Sequence, residues 1–242
     1  MRCRRYAARD QLSHTRAHGS NIERSRHPPH SQRILRHRMD ASTAAGRRRL
    51  YRQLSRGQQQ PGSGTALAVM RARTWAFPVP DLRPVLSVHY AIAGGVATRL
   101  YMQERDADDL DIVVRPADGE RATGDLRLAG AIPVRDHPSG GTRWLLPGGT
   151  YLDVLTLTAP WVDEALVNAC RAPDGQPVVS LPYLVVMKLS SYWKHDGGDL
   201  ARMVGDLDDD GLAPVREAVA HHAPDAADDL EWLIERGRLE YV

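Results

Sequence analysis

Cysteine and lysine are both scarce: the chain has only Cys3 and Cys170, and only Lys188 and Lys194. Two thiols so far apart give neither a disulfide framework nor a zinc-binding spacing, which excludes a small disulfide-stapled secreted scaffold. Long apolar runs are missing too. The arginine-rich start lacks the continuous apolar stretch of a secretory signal. No segment approaches the ~18 apolar residues that a membrane-spanning helix needs, and no internal repeat is visible. These absences predict a soluble, cytoplasmic protein of a reducing compartment.

The charge that is present is unevenly spread. Residues 1–60 hold 15 arginines against three acids (Asp10, Glu23, Asp40), a balance of +12. Residues 61–242 hold 17 basic residues against 27 acidic ones, a balance of −10, so the overall +2 is a cancellation. The first segment has no sustained apolar period and too few large apolar side chains to offset chain entropy. Residues 1–69 therefore read as a disordered basic extension that ends in a Gln/Pro/Gly/Ser linker. Such an arm could attract nucleic-acid phosphates by charge alone, or have no role at all. Met39 and Met70 both precede the first strand, so membership of residues 1–69 in the mature protein stays open.

Residues 70–242 read as one α+β domain, a mixed sheet with flanking helices. Its core spans about 85–158 and a helical portion about 160–242. Folded material is expected from about Trp75. "VLSVHYAIAG" reads as a short helix running into the strand "HYAIA", stopped by Gly94-Gly95. "VATRLYMQ" reads as helix, "DLDIVVRP" as strand and "GERATGDLRLAGA" as amphipathic helix. "GTRWLLPGG" and "TYLDVLTL" read as an antiparallel pair across the Gly148-Gly149 turn. Five helices follow: "PWVDEALVNAC", "LPYLVVMKLSSYWK", "DLARMVGDL", "APVREAVAHHA" and "DDLEWLIERGRL", with Pro160, Pro182 and Pro214 each in a first turn.

Within "DLDIVV", Asp109 and Asp111 point to one face and Leu110, Ile112 and Val114 to the other. Two carboxylates about 7 Å apart along a strand repel each other unless a cation lies between. Asp153 repeats the pattern on its own strand, between Leu152 and Val154. Three carboxylates on neighbouring strands could hold two Mg²⁺ ions, which favour oxygen ligands and substrate phosphates. A solvated edge strand is the plain alternative, and Asp106 and Asp108 fit a wet turn.

The Gly94-Gly95 turn before a helix could offer backbone N–H groups to a polyphosphate, or be an ordinary tight turn. Lys188, inside an otherwise apolar helix, must extend to solvent or meet an anion. Asp199 suits the N-cap of the helix that follows it as well as any site role, and the role of Asp196 stays open.

In this order the elements resemble the nucleotidyltransferase superfamily of the DNA-polymerase-β type, and in particular its AbiEii-like, toxin-related branch. The family pattern is a Gly-Gly or Gly-Ser turn, an Arg-x-Thr-x-Asp-[Ile/Leu]-Asp stretch, a third acid on a later strand, and a helical Lys followed by a basic-Asp-x-x-Asp segment. This chain matches with Gly94-Gly95, the run from Arg105 to Asp111, Asp153, Lys188, and "KHDGGD" with Lys194, Asp196 and Asp199. Ala107 stands in place of the threonine and Gly95 in place of a frequent serine, which removes two hydroxyls and weakens the expectation of nucleotide affinity.

The resemblance implies Mg²⁺-dependent transfer of a nucleoside monophosphate from an NTP such as ATP. Asp109 and Asp111 would hold two metal ions, with Asp153 ligating one or acting as base. Gly94, Gly95 and Arg105 would bind the nucleotide, and Lys188 would neutralise triphosphate charge. In that branch the acceptor is often a tRNA and the enzyme the toxin of a toxin–antitoxin system, with an antitoxin partner. Two alternatives stand beside it. The acceptor could be a small molecule such as an aminoglycoside, or a protein hydroxyl; an acidic surface suits a cationic acceptor. The domain could also be a degenerate, non-catalytic nucleotide-binding module.

Three other features are read as structural. His221-His222 has no carboxylate or cysteine at metal spacing, and exposed helix-end histidines are expected. Ser190-Ser191 lacks nucleophile-elbow glycines. Trp161, Trp193 and Trp232 are expected in core packing.

Overall fold

The computed structural model describes residues 79–101, 107, 109–172, 174–191 and 196–239. The basic extension, Trp75, Arg105, Asp106, Asp108, Trp193 and Lys194 lie outside the described residues.

Apolar, β-rich runs make the centre of the fold. Strand β1 (Tyr90–Ala93) is buried throughout. It runs directly into a short helix, α1 (Gly94–Thr98). Strand β2 (Leu110–Val114) follows, then helix α2 (Gly119–Leu128), which turns only Ala122 and Leu126 fully inward. Next come β3 (Ile132–Asp136), β4 (Gly141–Leu145), β5 (Tyr151–Leu155), α3 (Trp161–Val167), β6 (Cys170–Arg171) and β7 (Pro177–Val178). Four helices close the chain: α4 (Leu181–Ser190), α5 (Asp196–Gly205), α6 (Asp209–His222) and α7 (Ala227–Arg238). Among the described residues, no helix is long and apolar enough to cross a membrane.

The strands form one seven-stranded mixed sheet in the order β3-β4-β5-β2-β1-β7-β6. β2 lies parallel to β5 and antiparallel to β1, and β4 pairs antiparallel with β5. Strand β2 is central, and Ile112 and Val113 are both fully buried on its opposite faces, as expected of a strand with a parallel neighbour. β3 is an outer strand whose five residues are all exposed; it carries Pro133, two charges and a register shift between Pro133 and Arg135.

Several boundaries differ from the sequence expectation, each for a local reason. The "VLSVHYAIAG" segment opens with a single turn closed by the Leu86 N–H donating to the Leu82 carbonyl at 2.9 Å, not with a helix. The helix expected over residues 96–103 starts at Gly94 and ends at Thr98, where the Thr98 hydroxyl donates back to the Gly94 carbonyl at 2.8 Å. Helix α3 stops at Val167, so Cys170 lies in a strand. Helix α5 begins at Asp196, so Asp199 is inside its first turn and is not its N-cap. Helix α6 begins at Asp209, because the Asp208 carboxylate accepts the Gly211 N–H at 2.8 Å; this leaves Pro214 inside the helix. Strands β3, β6 and β7 were not expected: the first is interrupted by Pro133 and the other two have two residues each.

Helix α4 packs on α6 and α5 on α7, and α1 touches α4, which ties the helical portion to the sheet. The α5–α7 contact is backbone against backbone. A Cβ on Gly237 would sit 1.8 Å from the Ala201 carbonyl oxygen, and one on Gly205 would meet Gly237 at 2.2 Å. Neither helix can yield locally to a methyl group. Gly237→Ala is expected to force the helices apart and cost about 1–3 kcal/mol, read as a lower midpoint in urea unfolding, with Gly124→Ala, where the space is open, as the harmless control.

Candidate functional site

The register of the sheet aligns a single row of charge. Arg143 on β4 pairs with Asp153 on β5, Asp153 with Asp111 on β2, and Asp111 with Ala93 on β1. Laterally paired residues project to the same face, about 4.8 Å apart from strand to strand. Asp111 and Asp153 are therefore immediate neighbours, and Ala93 leads straight into Gly94-Gly95. Asp109 precedes β2 as its opening residue.

Arg143 holds the two outer carboxylates together. Its Nε donates to Asp153 Oδ1 at 2.7 Å, and its Nη2 donates to Asp153 Oδ2 and to Asp109 Oδ2, each at 2.5 Å. These are charge-assisted bonds in bidentate form on Asp153. The bond to Asp153, helped by the charges of both aspartates, pushes the Arg143 guanidinium further up from its ordinary value. The Asp153 side chain is 2% exposed, so this pairing compensates a carboxylate almost removed from water. His137 Nε2 lies 3.6 Å from Asp153 Oδ2. Burial lowers the His137 imidazole below its usual value, against the pull of Asp153.

Asp111 is left with the least compensation. Burial, then the charges of Asp109 and Asp153, push its carboxyl up to about 7; a hydrogen bond from the Gly95 N–H and the charge of Lys188 act the other way. The glycine turn is pressed directly on this group. Gly94 has φ +57°, and a Cβ there would fall 1.7 Å from Asp111 Oδ2. Any side chain at position 94 would enter the carboxylate as well as strain the backbone.

Lys188, expected to reach solvent or an anion, is buried in α4 with its ammonium 3.4 Å from Asp199 Oδ2 on α5. Ala107 is buried. Arg105 lies outside the described residues, as does the side chain of Asp196.

The structure thus brings together Asp109, Asp111, Asp153, Gly94 and Gly95, with the charge of Lys188 reaching Asp111. Sequence reasoning missed Arg143 and His137. Arg143 was findable: counting outward from the Gly148-Gly149 turn puts it opposite Asp153. His137 sits in the bend between two strands and gave no such signal. A second cluster was misread. Glu164 Oε2 lies 3.0 Å from His222 Nε2, so the histidine pair has a carboxylate partner from a segment 58 residues away, which no local spacing reveals.

No family model matches the chain, and no curated protein matches it. Among solved structures, it is similar to a solution structure of the antibiotic-resistance factor ANT(2'')-Ia, with 17% identity over 64% of this chain and 84% of that one, at a TM-score of 0.34. It is also similar to a crystal structure of ANT(2'')-Ia in complex with adenylyl-2''-tobramycin, with 17% identity over 78% of this chain and 99% of that one, at a TM-score of 0.35. At these values the likeness adds nothing to the geometry above.

Asp111 carries a stability prediction. Because its folded value of about 7 exceeds the ordinary 3.8, the folded state keeps a proton that the unfolded chain has lost. Its contribution to stability is full below the ordinary value and is lost as pH rises through the folded one. In metal-free buffer at pH 8, Asp111→Asn is expected to stabilise the protein by about 1–2 kcal/mol, discounted for the part of the carboxylate that meets solvent. Calorimetric melts should show the difference shrink toward zero at pH 4.

Proposed function

We propose that this protein is a Mg²⁺-dependent nucleotidyltransferase that moves a nucleoside monophosphate from an NTP to an acceptor hydroxyl. One observation carries the reading: carboxylates at the start of β2 and on neighbouring β5 stand together, against a glycine turn that leaves no room for a side chain at position 94. The donor set fits the metal. It is all oxygen, and it is negatively charged beyond what Arg143 offsets, since Asp111 remains pushed up to about 7. Asp109 and Asp111 would hold two ions, with Asp153 beside them. Bound Mg²⁺ would offset charge on the triphosphate and on the attacking oxygen.

The remaining chemistry belongs to the chain. In the transfer, the acceptor oxygen forms a bond to the α-phosphorus while the bond from that phosphorus to the bridging oxygen breaks. Pyrophosphate leaves with the electron pair, and Asp153 would take the hydroxyl proton or ligate the metal on that side. Arg143 occupies both Asp153 oxygens and one of Asp109, so it has to release at least one of them for the site to work. Lys188 is assigned to triphosphate charge, and Gly94, Gly95 and Arg105 to the nucleotide. The Gly95 N–H is already given to Asp111, so the turn positions this ligand as well as facing phosphate.

Two acceptor classes are in play, and each has an observation in its favour. The −10 balance of residues 61–242 favours a cationic small molecule, such as an aminoglycoside. The +12 arm favours RNA, with the tRNA-modifying toxin of a toxin–antitoxin system as its specific form. Incubation of the full chain with Mg²⁺ and α-labelled NTPs, together with total tRNA or an aminoglycoside panel, is expected to label one acceptor. Asp111→Ala and Asp153→Ala should each lower the rate at least ~10³-fold. Absence of labelling on every acceptor, with NTP still bound, would leave the chain a binding module.

A further inference from the structure

A separate cluster lies in the helical portion, built from side chains that the proposed transfer does not use. Glu164 comes from α3, and His221 and His222 are the last two residues of α6. One ligand atom from each lies within 4.8 Å of the other two. Consecutive residues within a helix diverge by about 100°, yet these rings meet edge to face with centroids 4.5 Å apart, because the helix ends there. The His222 side chain is 4% exposed and its Nε2 is 3.0 Å from Glu164 Oε2, while Glu164 is half open to solvent.

The surroundings suit a cation. Tyr183 on α4 donates its hydroxyl to Glu164 Oε2 at 3.1 Å, so the carboxylate is held in place from outside. Both histidines lie in the last turn of the 14-residue α6, where the helix dipole is negative.

We propose that Glu164, His221 and His222 form a Zn²⁺ site that pins the end of α6 to α3. Two imidazoles and one carboxylate select a borderline transition ion over Mg²⁺. Three protein ligands leave a fourth tetrahedral position for water or a small anion. Ligands around such an ion sit about 3.3 Å apart at a metal–ligand distance near 2.0 Å, so the cluster closes by a small movement of the exposed His221. The site is independent of the carboxylates on β2 and β5, and its test does not depend on transfer activity.

The test uses the untagged, EDTA-treated full chain at pH 7.5, titrated calorimetrically with ZnCl₂ and followed by absorption with CoCl₂. The sequence has ten histidines, so the decisive readout is the tightest equivalent. The parent chain is expected to bind one tight Zn²⁺, unaffected by excess MgCl₂, with a tetrahedral Co²⁺ spectrum and a raised melting temperature. Glu164→Gln and His221→Ala, both at exposed positions, should each weaken that equivalent about 10–100-fold and remove the thermal shift. Unchanged affinity in both variants would overturn the proposal, as would the lack of a tight equivalent in the parent chain.

Discussion

Like charge on adjacent strands has to be offset, and at the end of β2 and β5 that requirement governs the site. Asp153 is nearly removed from water, and Arg143 compensates it through two bonds while reaching Asp109 with the same nitrogen. The β4–β5 hairpin therefore supplies both a carboxylate and its counterion. Asp111 sits one strand further; among the described residues a backbone N–H and the more distant Lys188 act in its favour, and it bears the unrelieved part of the repulsion. A divalent ion entering the row would take over the role that the guanidinium fills.

The helical portion takes part through one buried pair. Lys188 leaves α4 to meet Asp199 on α5, and α4 in turn touches α1, the helix that carries the glycine turn. Breaking a buried pair from one side costs more than the pair contributes, because the remaining charge is stranded. The packing of α4 and α5 is thereby coupled to the electrostatics of Asp111. A family resemblance alone would assign Lys188 to substrate, whereas the structure shows it joining two helices through Asp199.

The centre of this molecule was legible in its sequence because apolar content and charge alternate there with a period of two. "DLDIVV" and "YLDVL" declared strands, and the Gly148-Gly149 turn declared their neighbour. Asp109 and Asp111 could thus be set on one face of their strand and Asp153 on one face of its own, while the register that joins them comes from the fold. What was not legible came from distance or from brevity. Arg143 sits in a strand whose meaning depends on its partner's register. Glu164 and His222 are joined only by the tertiary fold. The starts of α5 and α6 were displaced because Gly and Asp in "DGGDL" and "DDDGL" read as turns, while in α6 the Asp208 cap recruits them into helix. Of the two-residue strands, β7 forms on the edge that β1 offers, and β6 pairs in turn with β7.

That outer strand β3 is wholly exposed, with apolar Ile132 and Val134 in view and the sheet's hydrogen-bonding edge beyond it. Pro133 has no donor to offer a newcomer, the ladder shifts register beside it, and Arg135 and Asp136 bring charge to the rim. These features oppose accretion on that side of the sheet. Crowding many copies together should leave this flank a poor template for strand addition.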